Sequence, residues 1–208
     1  MRSLNTSHVA HKAAFLGKLT SWVRHRAAEL AEGVSGRVLD IGCGNGLFFA
    51  DLHSDLSAKL FGVDRDMALL REAQRIFLDN EVTGIGLICA DMYHLPFKER
   101  SLDTVIFLNT LLNVPARDQA LRLLESLLTL CRPGGRIILD IRNGANWYMR
   151  IKYWRYMRKS TLSTLSYNIQ DISSLLENNG FTITRIKAIG IPHKWTAFAY
   201  ALEARSHG

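Results

Sequence analysis

Short apolar runs alternate with amphipathic stretches along most of this chain, and that alternation limits the folds it can adopt. Residues 37–41, 60–63 and 85–90 are apolar or β-branched and predict buried strands, whereas residues 67–78 and 119–130 have helical periodicity. Strands that alternate with helices build a mostly parallel sheet with right-handed crossovers. We therefore predict an α/β fold, a doubly wound, mostly parallel seven-stranded sheet with helices on both faces.

The last two predicted strands, residues 181–188 and 196–203, are joined by a connection too short for a crossover helix. They predict an antiparallel hairpin at the C-terminal end of the sheet. We interpret residues 1–208 as a single Rossmann-like domain, in which residues 1–33 form an N-terminal helical cap. Residues 143–168 interrupt the strand and helix pattern and are interpreted as a lid insertion.

The apolar segments are too short and too interrupted to cross a bilayer, which takes roughly 18–20 residues. The first 20 residues contain His and Lys and no sustained apolar core, so they lack the pattern of a signal peptide. Cys43, Cys89 and Cys131 are far apart and lack metal-site spacing, which favours buried free thiols in a reducing compartment. We predict a soluble, cytoplasmic protein.

The positive charge of the chain is concentrated in one segment. Lys and Arg total 26 against 19 Asp and Glu, a formal net charge of +7. No acidic residue lies between Asp140 and Asp171, and residues 142–159 carry six cations and several aromatic rings. This distribution indicates a local patch with its own role rather than a generally nucleic-acid-binding surface.

A glycine-rich turn follows the first predicted strand. The sequence Asp-Ile-Gly-Cys-Gly-Asn-Gly at residues 40–46 leads from a strand into a helix, as a nucleotide-type loop requires. Glycines let the backbone turn sharply and let a ligand lie against the main chain without Cβ interference. A GxGxG spacing alone is weak evidence, because a structural tight turn is the alternative explanation.

Aspartates recur at the predicted ends of the next strands. The separation in sequence between Asp40 and Asp64 is the one at which a carboxylate beyond a glycine-rich turn accepts hydrogen bonds from ribose hydroxyls. Asp91 ends the third predicted strand and is followed by Met92. Ligands of open α/β sheets bind at the carboxyl ends of the strands. The alternative for each aspartate is a helix N-cap.

These motifs together resemble the class I S-adenosylmethionine-dependent methyltransferases, in particular the small-molecule, type 11-like enzymes. The resemblance covers residues 35–142, with a family-like end at 176–181. The matching segments occur in family order: residues 40–46, 62–64, 90–97, 102–105 and 132–135.

The resemblance implies S-adenosyl-L-methionine as cofactor and a set of residues that bind it. Asp40 would lie near the ammonium group, Asp64 would hold the ribose, and Asp91 would bind adenine. Leu108 and Asn109 would line the pocket near the sulfonium. The complete implied set is Asp40, Gly42, Cys43, Gly44, Asn45, Gly46, Asp64, Arg65, Met67, Asp91, Met92, Leu108 and Asn109.

The charge of this cofactor agrees with the residues at the strand ends. It is a cation without phosphate, so the carboxylates of Asp40, Asp64 and Asp91 would attract it. Methyl transfer to an acceptor is an in-line displacement that depends mainly on positioning, and a base is needed only for an acceptor proton of high pKa. His94 and Asn113 are therefore only weak catalytic candidates, and exposed loop positions are the alternative. Asp140 lacks an acidic partner, so we predict no metal.

The basic aromatic segment at residues 142–159 is the candidate acceptor site. Read as a helical lid, it offers Trp147, Arg150, Arg155 and Arg158 to an anionic or lipid-like acceptor. A solvated helix packed on the core, or a peripheral membrane contact, would explain the same composition.

We predict methyl transfer to a small-molecule acceptor by a monomer or homodimer. An RNA or protein methyltransferase that docks through the basic segment is the alternative within enzymes, but no separate RNA-binding domain is recognisable, which disfavours nucleic acid as a partner. A non-catalytic scaffold with the cofactor fold is the third interpretation.

Overall fold

A computed structural model describes residues 14–52, 58–157, 165–191 and 195–208 of the 208-residue chain. Part of the predicted N-terminal cap, part of the predicted lid and the candidate residue Arg158 lie outside these ranges.

Seven strands form one sheet in the spatial order β3-β2-β1-β4-β5-β7-β6. Neighbouring strands are parallel except β7, which runs antiparallel to both β5 and β6. The strands are β1 (Gly36–Ile41), β2 (Ala58–Asp64), β3 (Ile85–Cys89), β4 (Leu102–Phe107), β5 (Cys131–Arg142), β6 (Phe181–Gly190) and β7 (Ala197–Ser206). The predicted mostly parallel sheet and its C-terminal hairpin are confirmed.

Helices cover both faces of the sheet, as predicted. The helices are α1 (Ala14–Leu30), α2 (Leu47–Asp51), α3 (Met67–Asp79), α4 (Arg117–Leu128), α5 (Trp147–Met157) and α6 (Ile169–Asn178). One buried apolar cluster joins the sheet to α4 and α6, and the other joins it to α1, α2, α3 and α5. None of the helices in the described ranges is long and apolar enough to cross a membrane.

The periodicity of the sequence explains where the helices lie. Helix α4 buries Leu123, Leu124 and Leu127, which recur at the spacing of one helix face. Helix α6 ends before Gly180, whose φ of 77° is the left-handed conformation that glycine adopts at helix ends.

Four predicted details of the strands are wrong. The sequence predicts the fifth strand over residues 136–141, but β5 begins at Cys131, because Cys131 pairs with Leu102 of β4 across an irregularity in register. It also continues to Arg142, so Asp140, which the sequence places at the end of this strand, lies within it. Strand β3 ends at Cys89, which leaves Asp91 two residues beyond it, and Cys89 is exposed rather than buried.

Candidate functional site

The glycine-rich turn after β1 has three glycines with positive φ, each in a different environment. A Cβ on Gly42 would lie 2.4 Å from the Thr110 hydroxyl oxygen, and one on Gly46 would lie 2.5 Å from the Phe77 ring. A Cβ on Gly44 would meet no atom within 4 Å. Gly42 and Gly46 therefore permit close packing within the protein, whereas the α-carbon of Gly44 borders open space.

The carboxylate of Asp64, at the end of β2, holds the turn in place. One oxygen accepts a hydrogen bond from the Gly44 N–H at 2.9 Å, and the other accepts one from the Asp66 N–H at 2.9 Å. The helix N-cap is Asp66, which accepts from the N–H groups of Ala68 and Leu69 at the start of α3. The N-cap alternative therefore does not explain Asp64.

Asp40 is a buried carboxylate without an ionic partner. It is 3% exposed, and within the described ranges its side chain forms no hydrogen bond or ion pair. Burial first, and then the negative charge of Asp64, raise the pKa of Asp40 to about 8. The two carboxylates therefore lie close enough at the carboxyl end of the sheet to repel each other, and a nearby cation would oppose the rise in the pKa of Asp40.

Two other loop residues have side chains engaged with the protein. Cys43 is buried, and burial together with Asp40 and Asp64 raises the pKa of its thiol well above the ordinary range. Asn45 donates to the Glu72 carboxylate on α3 at 3.0 Å. Cys43 therefore offers a ligand mainly its main chain, whereas Asn45 is anchored to α3 by its amide nitrogen.

The residues after β2 and β3 form a more exposed border. Arg65 and Met67 are both exposed, and Met67 is the first residue of α3. The Asp91 carboxylate is exposed and accepts from the Tyr93 N–H at 3.1 Å, whereas Met92 is half-buried against the apolar core. This combination of acceptor and apolar side chain is the one expected of an adenine site.

Leu108 and Asn109 follow β4 at the opposite side of the glycine-rich turn. Leu108 is buried, and Asn109 has a φ of 54°, a conformation that asparagine tolerates better than most residues. The backbone N–H of Asn109 donates to Asp140, and its side-chain oxygen accepts from Arg142 at 2.8 Å. Asn109 is thus held rigidly from β5.

The network that holds Asn109 was not predicted from the sequence. Asp140 and Arg142 form a buried ion pair on β5, with both side chains 2% exposed. Burial raises the pKa of Asp140, although Arg142 and the Asn109 N–H act in the opposite direction. The signal was present, because residues i and i+2 of a strand share a face, so two buried opposite charges at that spacing form a pair.

Tyr153 of α5 lies beside this pair. Its hydroxyl and the Arg142 Nε are buried without a hydrogen-bond partner in the described part of the chain. Burial raises the pKa of Tyr153 to about 12, against the opposing charge of Arg142. Helix α5 therefore packs directly over the network that holds Asn109.

The weak catalytic candidates lie at the surface. His94 is exposed in the turn after β3, and Asn113 is exposed in a short 3-10 helix, Leu111–Asn113, that the sequence did not predict. The Asn113 amide donates to the Asn109 carbonyl at 3.0 Å, and the His94 backbone N–H donates to the Asp91 carbonyl at 2.9 Å, so each adjoins one predicted cofactor residue. Among the residues that the structure describes, no three His, Cys, Asp or Glu are grouped as metal ligands.

The acceptor candidates on α5 face solvent. Trp147 is 66% exposed, and Arg150 and Arg155 are exposed as well. Arg158 lies outside the described residues.

The chain matches the family model described as "Methyltransferase domain" over residues 38–135. It is 29% identical over 126 residues to the demethylmenaquinone methyltransferase of Lactiplantibacillus plantarum, covering 59% of this chain and 52% of that protein. It is 33% identical over 166 residues to a ubiquinone/menaquinone biosynthesis C-methyltransferase of Pseudomonas putida, covering 71% of this chain and 60% of that protein. The chain thus spans about half the length of these curated relatives.

Solved structures agree on the fold. The magnesium protoporphyrin IX methyltransferase of Synechocystis PCC 6803, solved with bound SAH, superposes with a TM-score of 0.71 at 23% identity, covering 94% of this chain and 88% of that one. With the family match and the strand-end aspartates, these similarities identify the chain as a member of the class I S-adenosylmethionine-dependent methyltransferase family.

Proposed function

We propose that this chain is a cytoplasmic enzyme that transfers a methyl group from S-adenosyl-L-methionine to a small-molecule acceptor. The observation that carries the proposal is the buried carboxyl of Asp40, which lies near Asp64 and has no cationic partner in the described structure. An open position at Gly44 lies on the same turn. Ionising a buried carboxyl without a partner is costly, which raises its pKa, and groups with strongly perturbed pKa values are concentrated at functional sites.

The residues present fit this cofactor. It supplies a methyl group already activated on a sulfonium, and its positive charges complement Asp40 and Asp64. The Asp64 oxygens each use one lone pair on a backbone N–H, which leaves further acceptor capacity for ribose hydroxyls. The Gly44 main chain is open to the methionine part. The full set of cofactor residues predicted above is part of this proposal.

The protein contributes positioning to the in-line displacement. Asn109 is fixed by its hydrogen bonds with Asp140 and Arg142, so the side of the pocket that it would line is rigid. No residue is assigned as a general base, because proton removal depends on the acceptor.

The acceptor is proposed to bind beside α5. The relatives' names refer to quinone methylation, which supports a small, apolar acceptor. Residues 143–168 are proposed as the lid over it, and the predicted acceptor residues Trp147, Arg150, Arg155 and Arg158 belong to this segment.

Calorimetric titration with S-adenosylmethionine and its demethylated product tests the cofactor site. Wild-type protein should bind both, and Asp64→Ala should lower the affinity roughly 10- to 100-fold, because hydrogen bonds to a charged group contribute about 1.5–3 kcal/mol. Asp118→Asn, an exposed carboxylate on α4, is the matched control and should bind as wild type. Absence of binding by the wild type would favour the scaffold interpretation.

Transfer of a labelled methyl group to a panel of acceptors tests the class of substrate. Label should appear with hydroxylated aromatic or quinol-type acceptors and remain absent from RNA and protein. Label in RNA or protein alone would replace this proposal with the docking alternative for the basic segment.

A further inference from the structure

Helix α5 is apolar on two opposite sides. Met149 and Tyr153 are buried at 0% and 3% exposure, whereas Trp147, Ile151 and Trp154 are 66%, 50% and 55% exposed. The three exposed residues follow one another at offsets of four and three and therefore share one face. A surface helix normally buries its only apolar stripe, so a second stripe in solvent indicates a further contact.

Cations flank the exposed stripe on both sides. With about 3.6 residues per turn, Arg150 lies to one side of Trp147 and Ile151, and Arg155 lies to the other. No Asp or Glu occurs between Asp140 and Asp171 to offset them. An apolar stripe bordered by arginines is the arrangement of a helix that lies in the plane of an anionic membrane surface.

A second segment extends this surface. The Asn146 amide, just before α5, donates to the carbonyls of Thr196 and Ala197 at 3.1 Å each, which ties the helix to the connection between β6 and β7. On that connection Ile191 is 64% exposed and Trp195 is 52% exposed.

The concentration of exposed apolar residues is specific to these two segments. Eleven large hydrophobic side chains are exposed in the described structure, and six of them belong here: Trp147, Tyr148, Ile151, Trp154, Ile191 and Trp195. Scattered exposed apolar residues are normal on a protein surface, but more than half within two adjoining segments are not.

We propose that this aromatic–basic face, formed by α5 together with Ile191 and Trp195, docks on an anionic lipid bilayer. Trp147, Ile151 and Trp154 would enter the headgroup region, and Arg150 and Arg155 would contact acidic headgroups. RNA is the other polyanion with which arginines and aromatic rings associate, through base stacking. The aliphatic residues Ile151 and Ile191 favour the bilayer, because aliphatic groups gain from burial in lipid but do not stack on bases.

Docking would bring the site close to the membrane. The buried side of α5 packs over Arg142, whose ion pair holds Asn109 beside the proposed acceptor pocket. A membrane-dissolved acceptor would then have a short path to it. This last consequence rests on the proposed function, whereas the docking itself does not.

Co-sedimentation of the full chain with vesicles tests the docking. Vesicles of phosphatidylcholine with phosphatidylglycerol should bind the wild type, pure phosphatidylcholine should bind it weakly, and added salt should release it. Arg150→Glu/Arg155→Glu should weaken binding roughly 25-fold or more, at about fivefold for each cation near the surface. The matched control, Arg71→Glu/Arg75→Glu on α3, makes the same change in net charge and should retain most of the binding.

A second pair of variants separates insertion from attraction by charge. Trp147→Ser/Trp154→Ser keeps every cation and should lower vesicle binding about tenfold or more. Leu78→Ser, at an exposed apolar position on α3, should bind vesicles as wild type does. Calorimetric titration with S-adenosylmethionine should give unchanged affinity in all variants, which shows that they are folded and separates docking from the proposed activity.

Three results would overturn the proposal. Wild type that stays in the supernatant with anionic vesicles contradicts it, as does binding that the α5 variants leave unchanged. Retention of the wild type by RNA, without vesicle binding, would assign the face to RNA instead.

Discussion

The two edges of the sheet both contain buried carboxylates, but only one edge supplies them with cations. At the amino edge Glu203, with its side chain 1% exposed, contacts Arg136, Arg185 and Arg205. At the carboxyl edge Asp40 is almost equally buried, and the charged group that influences it is another aspartate. The protein thus balances the charge of Glu203 with its own arginines but not that of Asp40, for which the proposed cationic cofactor would supply the counter-charge.

The pKa shifts have opposite signs for this reason. Burial alone would raise the pKa of Glu203, but the hydrogen bond and charge of Arg185, with Arg136 and Arg205, hold it below its usual value. Burial and Asp64 both raise the pKa of Asp40. Burial therefore acts on both carboxyl groups in the same direction, but arginines oppose it at Glu203 and no cation of the described residues opposes it at Asp40.

The amino edge also has a cavity of about 370 Å³, lined in part by Arg132, Arg136, Arg185 and Arg205. These arginines are engaged, since three share Glu203 and Arg132 pairs with Asp103 at 2.5 Å. We interpret this cavity as structural.

The largest expected effect comes from Glu203→Gln. Removing the carboxylate leaves three guanidinium groups close together without their counter-charge, and breaking a buried ion pair in this way costs about 3–5 kcal/mol. Urea unfolding measures the loss. Asp171→Asn is the matched control, because its pair with Arg117 is about half exposed and contributes less than about 1 kcal/mol. Equal effects of the two variants would contradict the structural role of Glu203.

The contrast between the edges explains what the sequence could reveal. The carboxyl edge is built from residues next to their own strands: the glycine turn directly follows β1, and Asp64 is the last residue of β2. The placement of these residues at the strand ends follows from strand order alone, so it could be predicted from the sequence. Even there, local spacing did not reveal that Asp66, two residues beyond Asp64, provides the helix cap.

The amino-edge network could not be predicted in this way. Glu203 and Arg136 are 67 residues apart, and they meet because β7 inserts antiparallel between β5 and β6. The extension of β5 to Cys131 depends likewise on its partner Leu102. Contacts set by strand pairing across the sheet need the topology, which the hydrophobic pattern of one segment does not contain.

The pH dependence of cofactor affinity should reveal the contribution of ionised Asp40 to binding. With a pKa of about 8, Asp40 is mostly neutral at pH 6 and attracts a cationic ligand weakly. Affinity should therefore rise with pH by up to about tenfold per unit below pH 8 and level off above it, because binding favours the ionised carboxyl. Calorimetric titration at pH 6, 7, 8 and 9 measures this slope.

Asp40→Asn is the control for that slope. The variant should bind S-adenosylmethionine more weakly at pH 8 and lose the part of the pH dependence that Asp40 causes, while any titration of the ligand remains. Because a raised pKa means that ionisation of Asp40 disfavours the folded state, the variant should be more stable than the wild type to urea unfolding at pH 8. A pH profile identical to that of the wild type would show that the ionisation of Asp40 does not affect the affinity for the ligand.

The smallest of the effects distinguishes two glycines of one turn. Gly44→Ala and Gly46→Ala both place a Cβ at positive φ, which costs about 1–2 kcal/mol. Only the Gly46 Cβ would collide, with the Phe77 ring at 2.5 Å, which adds about 1–3 kcal/mol of overpacking. Urea unfolding should therefore rank Gly46→Ala as less stable. Calorimetric titration should give the reverse ranking for cofactor affinity, because only Gly44 borders the space that the ligand would fill. If both variants lost stability and affinity in the same proportion, the turn would be a packing element throughout, and the proposed contact of Gly44 with the ligand would be wrong.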